Sequence, residues 1–247
     1  TVPFRNCVVN GLILAEDGRK MSKSLKNYPD PFELVESTGA DALRAYLINS
    51  PVVRAEPLRF SEHGVREVVR SVMLPYWNAY SFFTTYAAAE GFAAADLAGA
   101  PDPAERPEID RWILSVLQSV VARVNVEMEG YYLYNVIPPL IDFVDALTNW
   151  SMRRSRRRFW GRRNSGDPAA DRDTMAAFAT LYEVLVVFAK LMAPVLPFVT
   201  EVMYQGLVVD QRAAGVPGPQ SVHHEDFPEA DAALIDGDLE ASMTVVR

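Results

Sequence analysis

Hydrophobic and polar positions fall into two regimes, divided near residue 60. Before it the pattern is mixed. Residues 8–14 are mostly apolar and β-prone and the following Asp17-Gly18 is a turn signal, so a strand is expected to deliver the chain into a loop. Asp30-Pro31-Phe32-Glu33 then offers an N-cap, a proline at the first helical position and a glutamate at the third. This predicts a short helix to about Ser37, with Gly39 as its stop, and a second helix over residues 40–49 with Leu43, Tyr46 and Leu47 on one face.

From Ser61 the pattern is wholly helical. Val65, Val68, Val69, Val72, Met73, Tyr76, Trp77, Tyr80 and Phe83 recur at three- and four-residue steps, predicting a long helix capped by Ser61 and kinked at Pro75. Its aromatic stripe reads as bundle core, not as a platform for stacking bases. Residues 93–106 are a small-residue and proline linker, and Pro107 opens the next helix, with Trp112, Ile113, Val116, Val120 and Val124 facing inward. Further helices are expected over residues 135–160, 174–192 and 198–209, followed by an acidic tail over 227–247 whose end is expected to be frayed or truncated. The predicted fold class is mainly α: an antiparallel helical bundle over residues 61–247, ordered by its short connections, preceded by a small mixed α/β segment over residues 1–60.

Composition narrows the function. At 247 residues, 49% of them hydrophobic, the chain can bury a substantial core. The net charge of −8 argues against indiscriminate nucleic-acid binding, so any RNA contact has to come from a local basic patch. The one cysteine, Cys7, excludes an internal disulfide and fits a reducing cytosol. Proline and charged residues interrupt the apolar stretches before about 18 residues, so no signal peptide or membrane span is predicted. The chain opens at Thr1, directly before a strand, and reads as a piece of a longer protein.

Two local basic clusters are present. Three of the four lysines, Lys20, Lys23 and Lys26, fall within seven residues, and Lys20-Met21-Ser22-Lys23-Ser24 interleaves them with hydroxyls. Flexible ammonium groups among serine donors, on a loop able to close over an anion, suit a polyphosphate. Seven of the twenty arginines occupy residues 153–163. At about 100° per residue, Arg154 and Arg158 continue the buried face of Leu140, Val144, Leu147 and Ser151 and read as structural. Arg153, Arg156 and Arg157 fall on the other side and suit a phosphate backbone, with Trp150 near that direction, either stacking there or buried in the bundle. His223 and His224 lack the further ligands a zinc site needs, and no metal site is expected.

Lys20-Met21-Ser22-Lys23-Ser24 resembles the second signature loop of the class I aminoacyl-tRNA synthetases. The flanking residues 11–19 and Lys26-Asn27-Tyr28-Pro29-Asp30-Pro31 resemble the isoleucyl members, as do Asn149-Trp150-Ser151-Met152-Arg153-Arg154-Ser155-Arg156-Arg157-Arg158-Phe159-Trp160, Met192-Ala193-Pro194 and Ser221-Val222-His223-His224. The resemblance implies a stem-contact segment followed by an anticodon-binding bundle, in a cytoplasmic, monomeric ligase using ATP with Mg²⁺, isoleucine and tRNA-Ile. It implies Lys23 as the main ATP-phosphate ligand with Lys20 in support, Met21, Ser22 and Ser24 completing the loop, and Trp150, Arg153, Arg156 and Arg157 toward tRNA. The family's His-Ile-Gly-His signature does not occur, the three histidines being His63, His223 and His224. The chain alone is therefore expected to form no adenylate, to edit nothing and to hold no nucleotide tightly. A valyl or leucyl enzyme, or a non-catalytic tRNA-binding bundle, remains the alternative.

Overall fold

The computed structural model describes residues 3–160 and 165–246. Arg162 and Arg163 of the arginine cluster lie outside the described residues. The short strand β1 (Ile13–Leu14) pairs in parallel with β2 (Leu58–Arg59), with Ile13 opposite Leu58. Between them lie the lysine loop, α1 (Pro31–Thr38) and α2 (Ala40–Ile48). The Asp30 carboxylate caps α1 by accepting the Phe32 N–H at 2.8 Å. These pieces close over a small core of Leu34, Ala42, Phe60 and Val65.

The expected antiparallel helical bundle follows. α3 (Glu62–Val68) runs through a π turn, Val69–Met73, into α4 (Leu74–Glu90). The π turn meets the proline problem: Pro75 has no N–H to give and its ring presses on the preceding turn, so the helix widens just before it. α5 (Glu108–Glu129) is followed by α6 (Ile137–Asp145), a second π turn Ala146–Met152, α7 (Arg153–Ser155) and a 3₁₀ turn Arg156–Phe159, one continuous helical run. α8 (Pro168–Met192) and α9 (Pro197–Tyr204) complete the main packing.

The aromatic stripe is core in part, as expected at Tyr76 and Phe83 but not at Trp77. Tyr76 and Phe83 are buried, and Tyr76 meets Phe188 edge-on at 5.1 Å between ring centres, whereas Trp77 keeps 38% of its surface exposed. α8 has the length and hydropathy of a membrane span despite Glu183 and Lys190 within it, and its apolar window is instead 67% buried inside the bundle. The acidic tail forms α10 (Gly237–Val246), docked on α5, where the Ser119 hydroxyl donates to Glu240 at 2.8 Å; its last residue, Arg247, lies outside the described residues.

Polar contacts at α2 help to join segment and bundle. Asp41 of α2, buried, accepts the Val199 and Phe198 N–H groups at 2.8 and 3.3 Å and so caps α9 from outside its own helix. Beside it, Arg44 donates to the Pro194 carbonyl at 2.8 Å.

Candidate nucleotide loop and nucleic-acid groove

The lysine loop leaves β1 through a tight turn in which Ala15 N–H bonds Arg19 O at 2.9 Å and Gly18 takes a φ of 81° that a side-chain-bearing residue rarely adopts. Arg19 donates to Asp17, which lowers the Asp17 carboxyl below its ordinary range. Met21 turns inward against the small core, while Lys20, Lys23, Ser24 and Lys26 are exposed. The Ser22 and Ser24 hydroxyls lie 2.8 Å apart, facing each other across the loop. Asn27 reaches back to the backbone on both sides of Met21. The loop therefore keeps its backbone held and its ammonium groups in solvent. Lys190, the fourth lysine, is used elsewhere, paired to Glu225 at 2.7 Å.

The arginines separate sharply. Arg158 is mostly covered and held between Asp110 and Asp173, as its reading as a structural residue requires. Arg154 departs from that reading: it is exposed, with its guanidinium 5.8 Å from the centre of the Trp150 ring. The π turn Ala146–Met152 is the reason, because it takes up an extra residue and shifts the helical phase. The buried face continues from Leu147 and Ser151 to Ser155 and Phe159, and Arg154 rotates outward.

Arg153 and Arg156 line a groove of about 530 Å³ between α4 and the arginine helix, opposite Asn78 and Phe82 and beside Thr148 and Asn149. Arg157 is exposed but is not part of the groove lining. Among the described residues neither Arg153 nor Arg157 has an acidic partner. Trp150 is half-buried against the bundle core. The exposed aromatic at this end is Trp160, 44% exposed, with the Arg156 guanidinium 5.3 Å from its ring centre. Sequence reasoning missed Trp160, Asn78 and Asn149. Asn149 stands one helical turn before Arg153 and was findable from spacing, but Asn78 reaches the site only because α4 packs there.

A family model described as the anticodon-binding domain of tRNA ligase matches residues 110–247. The chain belongs to the anticodon-binding domain family of the tRNA ligases. A second model, class I tRNA synthetases (I, L, M and V), matches residues 1–59, which carry the lysine loop ahead of the anticodon-binding domain. The chain is 50% identical over 244 residues to an isoleucine–tRNA ligase of Chlamydia trachomatis serovar D, covering 99% of this chain and 22% of that protein. It is 48% identical over 245 residues to one of Bdellovibrio bacteriovorus, at 98% and 22% coverage. The likeness to isoleucyl members seen in the motifs thus extends along the whole chain, which spans about a fifth of the length of these curated relatives. Among solved structures, a Mycobacterium tuberculosis methionyl-tRNA synthetase bound by methionyl-adenylate matches with a TM-score of 0.63 at 22% identity, covering 87% of this chain and 43% of that one. An Agrobacterium radiobacter LeuRS in a ternary complex with tRNA matches at 0.59 and 20% identity, covering 92% and 24%. These two share the anticodon-binding domain's fold.

Proposed function

We propose that the chain is the part of an isoleucine–tRNA ligase that brings the lysine loop to ATP and holds the anticodon arm of tRNA-Ile. Its main support is the 50% identity to an isoleucine–tRNA ligase along 99% of the chain, since that likeness spans both basic clusters. We divide the chain as lysine loop and stem-contact segment, residues 1–60, and anticodon-binding bundle, residues 61–247. The whole ligase is taken to act in the cytosol as a monomer, on ATP with Mg²⁺ and on isoleucine.

In the first step an isoleucine carboxylate oxygen attacks the α-phosphorus of ATP, forming isoleucyl-adenylate as the bond to pyrophosphate breaks. Negative charge grows on the phosphoryl oxygens, and Lys23, supported by Lys20 and by the Ser22 and Ser24 hydroxyls, stabilises it more than it stabilises the ground state. The acyl group then passes to the 3′-terminal ribose of tRNA. The role proposed for this chain at ATP is that of its ammonium groups; Mg²⁺, when bound, would supply further positive charge at the phosphates. In the groove, Arg153 and Arg156 take backbone phosphates, while Asn78 and Asn149 suit bases. The Trp160 ring, outside the groove lining but beside the Arg156 guanidinium, suits stacking, and is better exposed for it than the half-buried Trp150.

The test is binding of tRNA-Ile, tRNA-Val and an unrelated tRNA to the 247-residue chain across a salt series. Selective tRNA-Ile binding, with a slope of log K on log salt that flattens by roughly 0.7 to 0.9 for each phosphate-binding arginine removed, is the expected result. Equal affinity for all three, or no binding, would reject the assignment to tRNA-Ile.

A further inference from the structure

Asn27 occupies a position that the reading of the loop as a phosphate clamp leaves unexplained. Its Oδ1 accepts the Ser22 N–H at 2.9 Å, and its Nδ2 donates to the Lys20 carbonyl at 3.1 Å. One planar amide thus satisfies an acceptor and a donor of the backbone between Lys20 and Lys23, on either side of Met21, whose side chain is partly buried against the small core. The next turn closes the ring: Lys26 N–H bonds the Ser22 carbonyl at 3.0 Å, with Lys26 at a φ of 48°. A positive φ at a lysine is uncommon and persists where neighbours impose it.

The chemistry narrows what can do this. An aspartate has no donor for the Lys20 carbonyl, and a serine has too short a reach and no second group. The lysine stems carry much rotamer freedom, so the entropy of bringing their ammonium groups to one anion is smaller if the backbone between them is already fixed.

We propose that Asn27 is the positioning residue of the lysine loop: it holds the Lys20–Ser22 backbone so that Lys20 and Lys23 engage the ATP phosphates as adenylate forms. This rests on the reading of those lysines as phosphate ligands. Asn27 itself touches no reacting atom and acts through the loop.

The experiment uses the whole ligase, with Asn27→Ala, Asn27→Asp, Lys23→Ala and the double variant Lys23→Ala/Asn27→Ala. Pyrophosphate exchange is measured with ATP and isoleucine varied, together with single-turnover transfer from isolated enzyme-bound adenylate to tRNA. Asn27→Ala is expected to slow adenylate formation between about 10- and 100-fold, with isoleucine KM and the transfer rate unchanged within about twofold. Asn27→Asp, which lacks the donor, should be comparably impaired. The double variant should be no slower than Lys23→Ala by more than about twofold, since both act through one element.

Exchange within about threefold of wild type for Asn27→Ala would overturn the proposal, as would losses that multiply in the double variant. A fall in melting temperature with both steps slowed equally would make Asn27 a plain structural staple and also overturn it. If Lys23→Ala leaves exchange unchanged, the phosphate reading of the loop fails first and this proposal with it. If Lys23→Ala is crippled and Asn27→Ala is not, the positioning role alone is wrong.

Discussion

Arg158 and Asp110 meet as a planar pair, Nη1 donating to Oδ1 and Nη2 to Oδ2, both at 2.7 Å, tying the end of the arginine helix to the start of α5. Asp173 Oδ1 accepts from the remaining Nε at 2.9 Å. Burial pushes the Asp110 carboxyl upward, and the Arg158 donors oppose that rise. The pair therefore sits where desolvation is costly and its geometry offsets the cost.

Removing one member should show how much depends on the match. Asp110→Ala leaves a buried guanidinium with only Asp173 in reach, and a loss of about 3 to 5 kcal/mol in urea unfolding is expected. A loss under about 1 kcal/mol would mean that solvent reaches Arg158 far more freely than its 12% side-chain exposure implies.

The outer arginines should behave differently from Arg158 and from one another. Arg153→Ala and Arg156→Ala are each expected to flatten the tRNA salt slope by roughly 0.7 to 0.9 without changing the unfolding midpoint. Arg157→Ala, outside the groove, should change the slope by less than half that amount. An equal effect from all three would place the RNA along the outer helix face and not in the groove.

Acid should loosen the segment around residue 225. Burial alone would raise the Glu225 carboxyl, but hydrogen bonds from Lys190 and Tyr204 outweigh it and hold the group below its ordinary value. A carboxyl lowered on folding contributes stability above its unfolded value and loses it as pH falls through the folded one. Glu225→Gln is thus expected to be less stable than wild type by about 1 kcal/mol at pH 7. That difference should begin to shrink as pH falls below about 4.3, the ordinary glutamate value, and vanish only once pH has passed through the lower folded value. A difference independent of pH would assign the effect to packing.

The Asp41 cap links two distant stretches of chain. Asp41→Ala leaves the first N–H groups of α9 without their acceptor, and a loss of about 1 to 2 kcal/mol is expected, read by thermal or urea unfolding. Asp41→Asn, which keeps an acceptor, should recover most of it. Equal losses for both would point to the carboxylate charge and not to the hydrogen bonds.

Much of this was legible in short stretches of sequence. The lysine loop is contiguous, so its residues, spacing and chemistry could be read without knowing what surrounds them. The helices of the bundle followed from three- and four-residue periodicity, because one face of each had to be buried and the period of burial is the period of the helix.

What was missed shares one cause. The groove needs Asn78 and Arg153, 75 positions apart, and nothing local says that α4 packs beside the arginine helix. Asp41 and Val199 meet across 158 positions, and Glu240 meets Ser119 across 121, which is why the docking of the acidic tail as a helix on α5 was not legible. The outward turn of Arg154 came from a single extra residue in a π turn, a change of phase that an ideal helical count cannot contain. Periodicity reports which face of an element is buried. Which elements face each other, and where a helix departs from its own period, is set by packing between parts of the chain that periodicity treats as independent.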